Sequence, residues 1–286
     1  MMKKLSGCLV RVLIAVLVCP APVWCAESSA PAPATLASFA DPNLEAAVRK
    51  FVIEKRDTDK PLTEADLVNL STIQGLGLGI TNLAGLEHCQ NLASLDLSRN
   101  KIIDLRPLKT LTRIQYLNLA DNQIDDFSPL GEINALQYLD LSRNRVKNIQ
   151  TLRSLTNLAS LYLSHNQITD ISPVVKLPRL ASLYLDHNQI RAIPGINGLT
   201  GLFTLSFSDN AIADLSPLAG LPGLYTLMLE HNKIRDLGPL LEMAKKDKEQ
   251  RFAPFLNVYL AGNPLSSTAK HRQFSALKEL GVRINN

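Results

Sequence analysis

The chain has 286 residues, of which 46% are hydrophobic and 20% are charged. This is enough apolar material for an extended core, and it excludes a chain that is disordered throughout. The formal net charge is +4, and loss of Lys3, Lys4 and Arg11 with the leader described below leaves 27 basic against 26 acidic residues, a charge of +1. No concentrated positive patch favours nucleic acid or a membrane surface, and we predict no nucleic-acid partner.

The first 26 residues predict a secretory signal peptide. Two lysines precede an apolar run, Leu9 to Val18, and small residues follow it, which is the order that defines such a leader. The run is too short to span a bilayer, so we expect no transmembrane segment in the mature chain. We predict a secreted or periplasmic protein. A lipid anchor is not expected, because Trp24 stands where lipidation of Cys25 requires a small residue.

Residues 27–40 and 41–69 precede the main body of the chain. The first segment is rich in Pro, Ala and Ser and lacks periodicity, which predicts a flexible linker. The second predicts a helical N-terminal cap, since Asp41-Pro42 is a favourable helix start and Thr63 to Asp66 reads as a capping box. Such a cap covers the open apolar end of the repeats that follow.

A 22-residue repeat fills the chain between residues 70 and 265. Its clearest copy, Leu92 to Leu111, reads LASLDLSRNKIIDLRPLKTL, the pattern L-x-x-L-x-L-x-x-N-x-L of a leucine-rich repeat. The first copy, residues 70–91, is degenerate because Leu78 stands where the asparagine belongs. The repeat asparagines are Asn100, Asn122, Asn144, Asn166, Asn188, Asn210 and Asn232.

The residue types within the repeat predict its shape. Alternating leucines predict a short strand, and a buried asparagine can satisfy the backbone of the turn that follows. Prolines such as Pro107 and Pro239 favour a short 3₁₀ segment over an α-helix, whereas residues 192–196 depart from the pattern and predict an irregular turn. The predicted fold class is α/β, a right-handed leucine-rich repeat solenoid with a concave parallel β-sheet, convex 3₁₀ or turn segments and a cap at each end.

The last repeat is enlarged. The next asparagine after Asn232 in a matching context is Asn263, which lies 31 residues further on. We place the surplus in an exposed helical extension around residues 245–251. Residues 266–286 then predict a C-terminal cap that contains one helix and a closing strand at residues 282–284.

With N-x-I-x-D-L-x-P-L after its strands, the 22-residue unit resembles the internalin-type class of bacterial leucine-rich repeat proteins. The resemblance covers residues 70–265, which is most of the chain. It implies a secreted or surface protein that binds another protein non-covalently through its concave face. It does not imply which protein, since one scaffold serves many partners.

Aromatic residues on the predicted concave face are the candidate partner-binding site. All six tyrosines of the chain fall in or beside the strands, and tyrosine is rigid, large and amphipathic, which suits protein recognition. One alternative is that the rings only stack as a ladder along the sheet. Another is that they bind carbohydrate or a different component of the cell envelope. The candidate residues are Tyr116, Tyr138, Tyr162, Tyr184, Phe203 and Tyr225.

No residue pattern indicates a catalytic or metal site. His165 and His187 precede repeat asparagines in adjacent coils, but Asp209 interrupts the column before His231, and zinc needs three or four ligands. No phosphate loop, nucleophile elbow or metalloprotease helix is present. Cys89 has no intrachain disulfide partner once the leader is removed, and we expect it to be buried. We predict a monomeric, non-enzymatic protein without a cofactor or metal.

Overall fold

The computed structural model describes residues 35–250 and 252–286. The predicted signal peptide (1–26) and most of the predicted linker (27–40) lie outside these residues. The described chain is built on one parallel sheet of ten strands in sequence order, which confirms the predicted leucine-rich repeat solenoid. The strands are β1 (Thr72–Gln74), β2 (Ser94–Asp96), β3 (Tyr116–Asn118), β4 (Tyr138–Asp140), β5 (Ser160–Tyr162), β6 (Ser182–Tyr184), β7 (Thr204–Ser206), β8 (Thr226–Met228), β9 (Asn257–Tyr259) and β10 (Arg283–Asn285).

The repeat strands β2–β9 share one inward and outward alternation, except that Ser206 at the end of β7 is also buried. In β4, Leu139 is fully buried, whereas Tyr138 and Asp140 on either side are partly exposed. Constant register keeps like positions together, so Leu139 aligns with Leu161 on β5. The buried side chains of all coils form one continuous hydrophobic core. Each coil is therefore stabilised mainly by its two neighbours.

The repeat asparagines tie each coil to the one before it. Asn166 donates from Nδ2 to the carbonyls of Leu141 (2.9 Å) and Leu163 (3.0 Å), and its Oδ1 accepts from the amide of Val146 (2.9 Å). Asn263 makes equivalent bonds in the enlarged repeat. These bonds satisfy backbone groups that the turn would otherwise bury unpaired. The same arrangement recurs at Asn100, Asn122, Asn144, Asn188, Asn210 and Asn232.

The return limbs on the outer side of the coils are short. Several limbs begin with an aspartate that accepts a hydrogen bond from the backbone two residues later. Asp126 Oδ1, for example, accepts from the amide of Ser128 (2.8 Å). The limb between β6 and β7 has no helical segment, as residues 192–196 predict. The 3₁₀ helices are Leu86–His88, Arg106–Leu108, Ser128–Glu132, Gln150–Ser154, Ser172–Lys176 and Ser216–Leu218.

Two short helices precede the first coil, α1 (Pro42–Arg49) and α2 (Glu64–Leu67). Asp41 starts α1, where its Oδ1 accepts from the amide of Asn43 (2.9 Å). Its Oδ2 accepts from the amide of Thr81 (2.7 Å) in the first repeat, so one carboxylate both caps the helix and attaches it to the solenoid. The amide of Thr63 donates to Asp66 (2.7 Å) at the start of α2, as expected for a capping box.

The enlarged last repeat differs from its prediction. Its outer limb forms an α-helix, α3 (Gly238–Lys246), with Pro239 in the first turn. Proline is compatible with that position because the first amides of a helix have no intrahelical acceptor. The prediction that Pro239 would prevent a helix was wrong, and so was the helical extension around residues 245–251, since the helix ends at Lys246.

The C-terminal segment closes the other end of the sheet. A π-helical turn (Ala269–Gln273) leads into α4 (Phe274–Glu279), and β10 pairs with β9. The closing strand begins one residue later than the predicted 282–284. None of the helices in residues 35–250 and 252–286 has the length and apolar content that a bilayer span requires.

Candidate binding face

The side chains that leave the sheet on its solvent side form a surface that we call the strand face. It consists of four columns across β1–β9, namely the residue before each strand (except at β9, where Leu256 is buried), the first and third strand residues, and the second residue after the strand. Parallel pairing stacks like positions coil upon coil, as with Tyr116 and Tyr138. Neighbouring strands lie about 4.8 Å apart, so residues within a column are close enough to interact.

Four of the six predicted residues form one continuous tyrosine ladder. Tyr116 and Tyr138 stack with ring centroids 4.4 Å apart and planes at 16°. Tyr162 and Tyr184 stack at 4.8 Å and 8°. A tilted contact between Tyr138 and Tyr162 (5.2 Å, 39°) joins the two pairs. The ladder therefore crosses the strand face diagonally, from the first strand position on β3 and β4 to the third on β5 and β6.

The other two predicted residues belong to a separate aromatic cluster. Phe203 and Tyr225 have ring centroids 5.4 Å apart, and Tyr225 contacts Phe255 at 5.8 Å. All three side chains are exposed, at 49%, 39% and 48% respectively. No ring contact among the described residues links this cluster to Tyr184. The six predicted residues therefore form two groups, and Phe255, which the repeat pattern did not reveal, belongs to the second.

Carboxylates lie in two columns of the strand face, one of which also holds Tyr162 and Tyr184. Asp96 and Asp140 occupy the third strand position, and Asp186 and Glu230 lie two residues after their strands. Each is partly buried and hydrogen-bonded within the sheet, as where Asp140 Oδ1 accepts from the amide of Ser142 (2.8 Å). Burial raises the pKa of Asp140, and the charge of Asp96 contributes in the same direction. Burial also raises the pKa of Tyr138, with the neighbouring Asp140 as the next cause.

At one edge of the strand face, the residue before each repeat asparagine has a left-handed backbone conformation. In the last coil the corresponding residue is Gly262, with φ 75°. A Cβ at Gly262 would collide with the imidazole of His231 in the preceding coil. This edge column is occupied, at φ values from 52° to 59°, by Arg99, Asp121, Arg143, His165, His187, Asp209 and His231.

The histidines of the edge column contact one another and Asp209. His165 and His187 stack at 4.0 Å. His187 Nε2 lies 3.4 Å from one oxygen of Asp209, and His231 Nδ1 lies 3.3 Å from the other. Burial, His187 and Arg143 together lower the pKa of His165. Among the described residues, no group of three or more His, Cys, Asp or Glu is arranged to hold a metal ion.

Two further features lie away from the strand face. Cys89 is fully buried as expected, and burial raises the pKa of its thiol to about 12, so the reactive thiolate is scarce at neutral pH. A groove of about 760 Å³ lies between the Ser216–Leu218 helix and α3, with Met243 and Phe252 among its lining residues. None of the predicted partner-binding residues lines this groove.

Known proteins share this architecture. An internalin C2 from Listeria monocytogenes is 34% identical, with 82% of this chain and 98% of that chain covered and a TM-score of 0.71. The internalin InlF from the same organism is 27% identical, covering 87% and 75% of the two chains at a TM-score of 0.75. A leucine-rich repeat protein of Leptospira interrogans is 27% identical, covering 72% and 52% at 0.64. The family described as "Leucine Rich repeats (2 copies)" matches residues 90–132, 134–176, 156–199 and 200–242.

The fold and these matches define a leucine-rich repeat scaffold, a class that generally serves protein interaction and not catalysis. The chain belongs to the internalin-type leucine-rich repeat proteins, as the resemblance of its 22-residue unit implied.

Proposed function

We propose that this protein is a non-enzymatic binding module that recognises another protein through the strand face, the concave side of the solenoid. The observation that carries the proposal is the tyrosine ladder, four rings in mutual contact on the solvent side of the sheet. Ring stacking pre-orders these side chains, so less conformational entropy is lost when a partner binds them. Tyrosine is also among the residues that contribute most to protein interfaces.

The second aromatic cluster extends the proposed contact surface. Phe203, Tyr225 and Phe255 are exposed large side chains grouped on one side of the sheet, and exposed apolar groups of this kind mark interaction sites. The nine strands of this face at about 4.8 Å spacing give it a length of roughly 38 Å. A face of that length can hold an interface of standard size, about 800 Å² on each partner.

The ring geometry favours a protein partner over the carbohydrate alternative. A sugar packs against the open face of an aromatic ring, but in the ladder each ring turns at least one face toward a neighbouring ring. Tyr138 has a ring neighbour in the coil before it and another in the coil after it. Ring edges and hydroxyl groups remain for contact, and these suit the mixed polar and apolar surface of a protein.

The proposed location follows from the sequence. A secretory leader at residues 1–26 would deliver the protein to the periplasm or the exterior, without a lipid anchor. In that compartment the mature chain acts as a monomer that presents its strand face to a partner.

A pull-down from envelope and extracellular fractions tests the proposal. The bait is the wild-type chain, and the test variant is Tyr162→Ala/Tyr184→Ala, which removes the ladder pair that stacks at 4.8 Å. The matched control is Ile103→Ala/Val175→Ala, which removes exposed apolar side chains (54% and 36% exposed) from the outer limbs. We expect to identify a protein that the wild type and the control retain and that the tyrosine variant loses. Once purified, that protein should bind the wild type and the control but not the tyrosine variant.

Two outcomes would contradict the proposal. Equal capture by the tyrosine variant would show that the ladder serves only the packing of the sheet. Tyrosine-dependent binding to a glycan array, without tyrosine-dependent capture of a protein, would instead support the carbohydrate function.

A further inference from the structure

The charge of the strand face has one sign. In its four columns across β1–β9 there is no lysine, arginine or histidine. The first arginine in line with these columns is Arg283 on β10, beside Asn257 at the C-terminal end of the sheet. The chain as a whole has the opposite balance, with 30 basic and 26 acidic residues. The basic residues therefore lie elsewhere, and the proposed contact surface is negative. Its charged residues are Asp96, Asp140, Asp186 and Glu230.

The neighbouring edge column does not neutralise this surface. Arg99 and Arg143 in that column are balanced by Asp121 and Asp209. No ion pair within 4.0 Å involves any of the four strand-face carboxylates in the part of the chain that the structure describes. None of the four carboxylates is therefore held in an ion pair within the described chain, although Arg99 and Arg143 line the same cavity as Asp96 and Asp140.

Neutral donors within the sheet hold the carboxylates in place. Asp96 accepts from the hydroxyl of Ser98 (2.7 Å) and from Asn118 Nδ2 (3.1 Å). Asp186 accepts from the amide of Ser208 (2.8 Å), whose hydroxyl donates to Glu230 (2.6 Å). These bonds fix the oxygen atoms but do not neutralise their charges. All four groups are already partly buried.

A partner that covers this face must compensate the charges that it dehydrates. Removing water from an unpaired carboxylate is unfavourable unless a cation takes its place. Like charges brought together across an interface are also unfavourable, which selects against an acidic partner. Asp140 lies close enough to the ladder to contribute to the raised pKa of Tyr138. A lysine or arginine side chain at that point could contact the carboxylate and a tyrosine ring at once.

We propose that the strand face recognises a basic protein segment, whose lysine or arginine side chains pair with Asp140 and Asp186 while its apolar groups pack on the tyrosine ladder. This inference rests on the proposed function, because it specifies the partner of the same surface. It selects among protein partners by charge and gives the association a strong dependence on ionic strength.

Selection from a phage-displayed library of random 12-residue peptides tests the inference. Peptides are selected on the immobilised wild-type chain at low salt, and those that no longer bind Tyr162→Ala/Tyr184→Ala are classed as face binders. We expect the face binders to be enriched in lysine and arginine over the unselected library. We also expect Asp140→Asn/Asp186→Asn to weaken their binding about tenfold or more, and added salt to weaken it similarly.

The chain supplies a closely matched control, Asp126→Asn/Asp170→Asn. Each of these aspartates accepts from the serine amide two residues later at 2.8 Å, as Asp140 does, but lies on the outer limb. The control removes the same charge, so unchanged binding of the face binders would locate the effect on the strand face.

The outcomes separate this inference from the function on which it rests. Face binders that lack basic residues, or that bind Asp140→Asn/Asp186→Asn as they bind the wild type, would overturn the basic partner and leave the binding module intact. If no selected peptide depends on the tyrosines, both proposals are contradicted.

Discussion

Tyr138 and Tyr162 occupy different columns of the strand face, yet their rings are in contact, with centroids 5.2 Å apart and planes at 39°. Tyr138 is the first residue of β4, and Tyr162 is the last residue of β5. This diagonal contact converts two stacked pairs into one ladder over four coils. A partner that binds the ladder therefore meets a pre-ordered group of rings and not isolated side chains.

The diagonal contact gives Tyr138 and Tyr162 two ring neighbours each, whereas Tyr116 and Tyr184 at the ends of the ladder have one. We expect Tyr138→Ala to lower the free energy of unfolding by about 1–3 kcal/mol, since two ring contacts are lost at about 0.5–1.5 kcal/mol each. Urea denaturation with an unchanged m-value measures this loss. Tyr259→Ala is the control, because that strand tyrosine has no ring partner among the described residues, and it should cost less. Equal losses in the two variants would show that ring contact adds nothing to area burial.

The hydrogen bonds of the repeat asparagines predict a second effect on stability. Asn166→Ala removes the bonds to Val146 and Leu141 in the preceding coil and the bond to Leu163 within its own coil. We expect a loss of about 1–3 kcal/mol, the usual cost of leaving buried polar groups unsatisfied. Asn157→Ala is the control, since Asn157 is only half-buried and its side chain donates to the carbonyl of Asn134 in a solvent-exposed bond. If thermal melts of Asn166→Ala and the wild type were the same, the repeat asparagines would not have this structural role.

Much of the fold could be predicted because the repeat period carries it. A 22-residue spacing places each strand, each buried leucine and each repeat asparagine in the same position of every coil, and the structure keeps that register from β1 to β9. The enlarged last repeat interrupts the period. For that reason Phe255 was missed and α3 was misplaced, although Pro239 is compatible with a first helical turn.

The candidate site could be predicted only as a set of columns. Column membership puts Tyr116 beside Tyr138, but whether Tyr138 also meets Tyr162 in the next column depends on side-chain rotamers that the pattern does not specify. Tyr184 and Phe203, in contrast, belong to different groups because the register sets them three residues apart along neighbouring strands. The negative charge of the strand face can be predicted from the sequence once the columns are known, because it depends on residue types alone.

The stacked histidines predict a dependence of stability on pH. Burial, His187 and Arg143 lower the pKa of His165, against the smaller opposing effect of Asp186 and Asp209. The folded state then binds fewer protons than the unfolded state, so this histidine contributes nothing above about pH 6.5 and destabilises the fold as the pH falls below that value. We expect His165→Asn, which tolerates φ 57°, to lose less stability between neutral pH and pH 5 than the wild type.

Denaturant titrations at several pH values measure this effect. His271→Asn is the control, because His271 lies in the C-terminal π-helical turn away from the stack. Parallel pH profiles for the wild type and His165→Asn would show that the stacked imidazole does not determine the acid sensitivity.

Asp41 predicts the opposite sign of pH effect at the N-terminal end. Burial opposes its ionisation, but hydrogen bonds from Thr81, Asn82 and Asn43 outweigh burial and lower its pKa. Its contribution to stability is therefore present above about pH 3.8 and lost as the pH falls through the lowered folded value. We expect Asp41→Ala to cost about 0.5–2 kcal/mol at pH 7, typical of a lost helix cap, and less near pH 3. Asp57→Ala, at an exposed carboxylate, should change stability little at either pH.

The most direct test of the central claim is a footprint of the tyrosine rings. Hydroxyl-radical modification of the chain would be measured with and without the protein captured in the pull-down, and Tyr259 would serve as a strand tyrosine outside the ladder. The account predicts slower modification of Tyr116, Tyr138, Tyr162 and Tyr184 in the complex. Unchanged rates at all four rings, with protection confined to outer-limb residues such as Val175, would place the interface elsewhere and contradict recognition through the strand face.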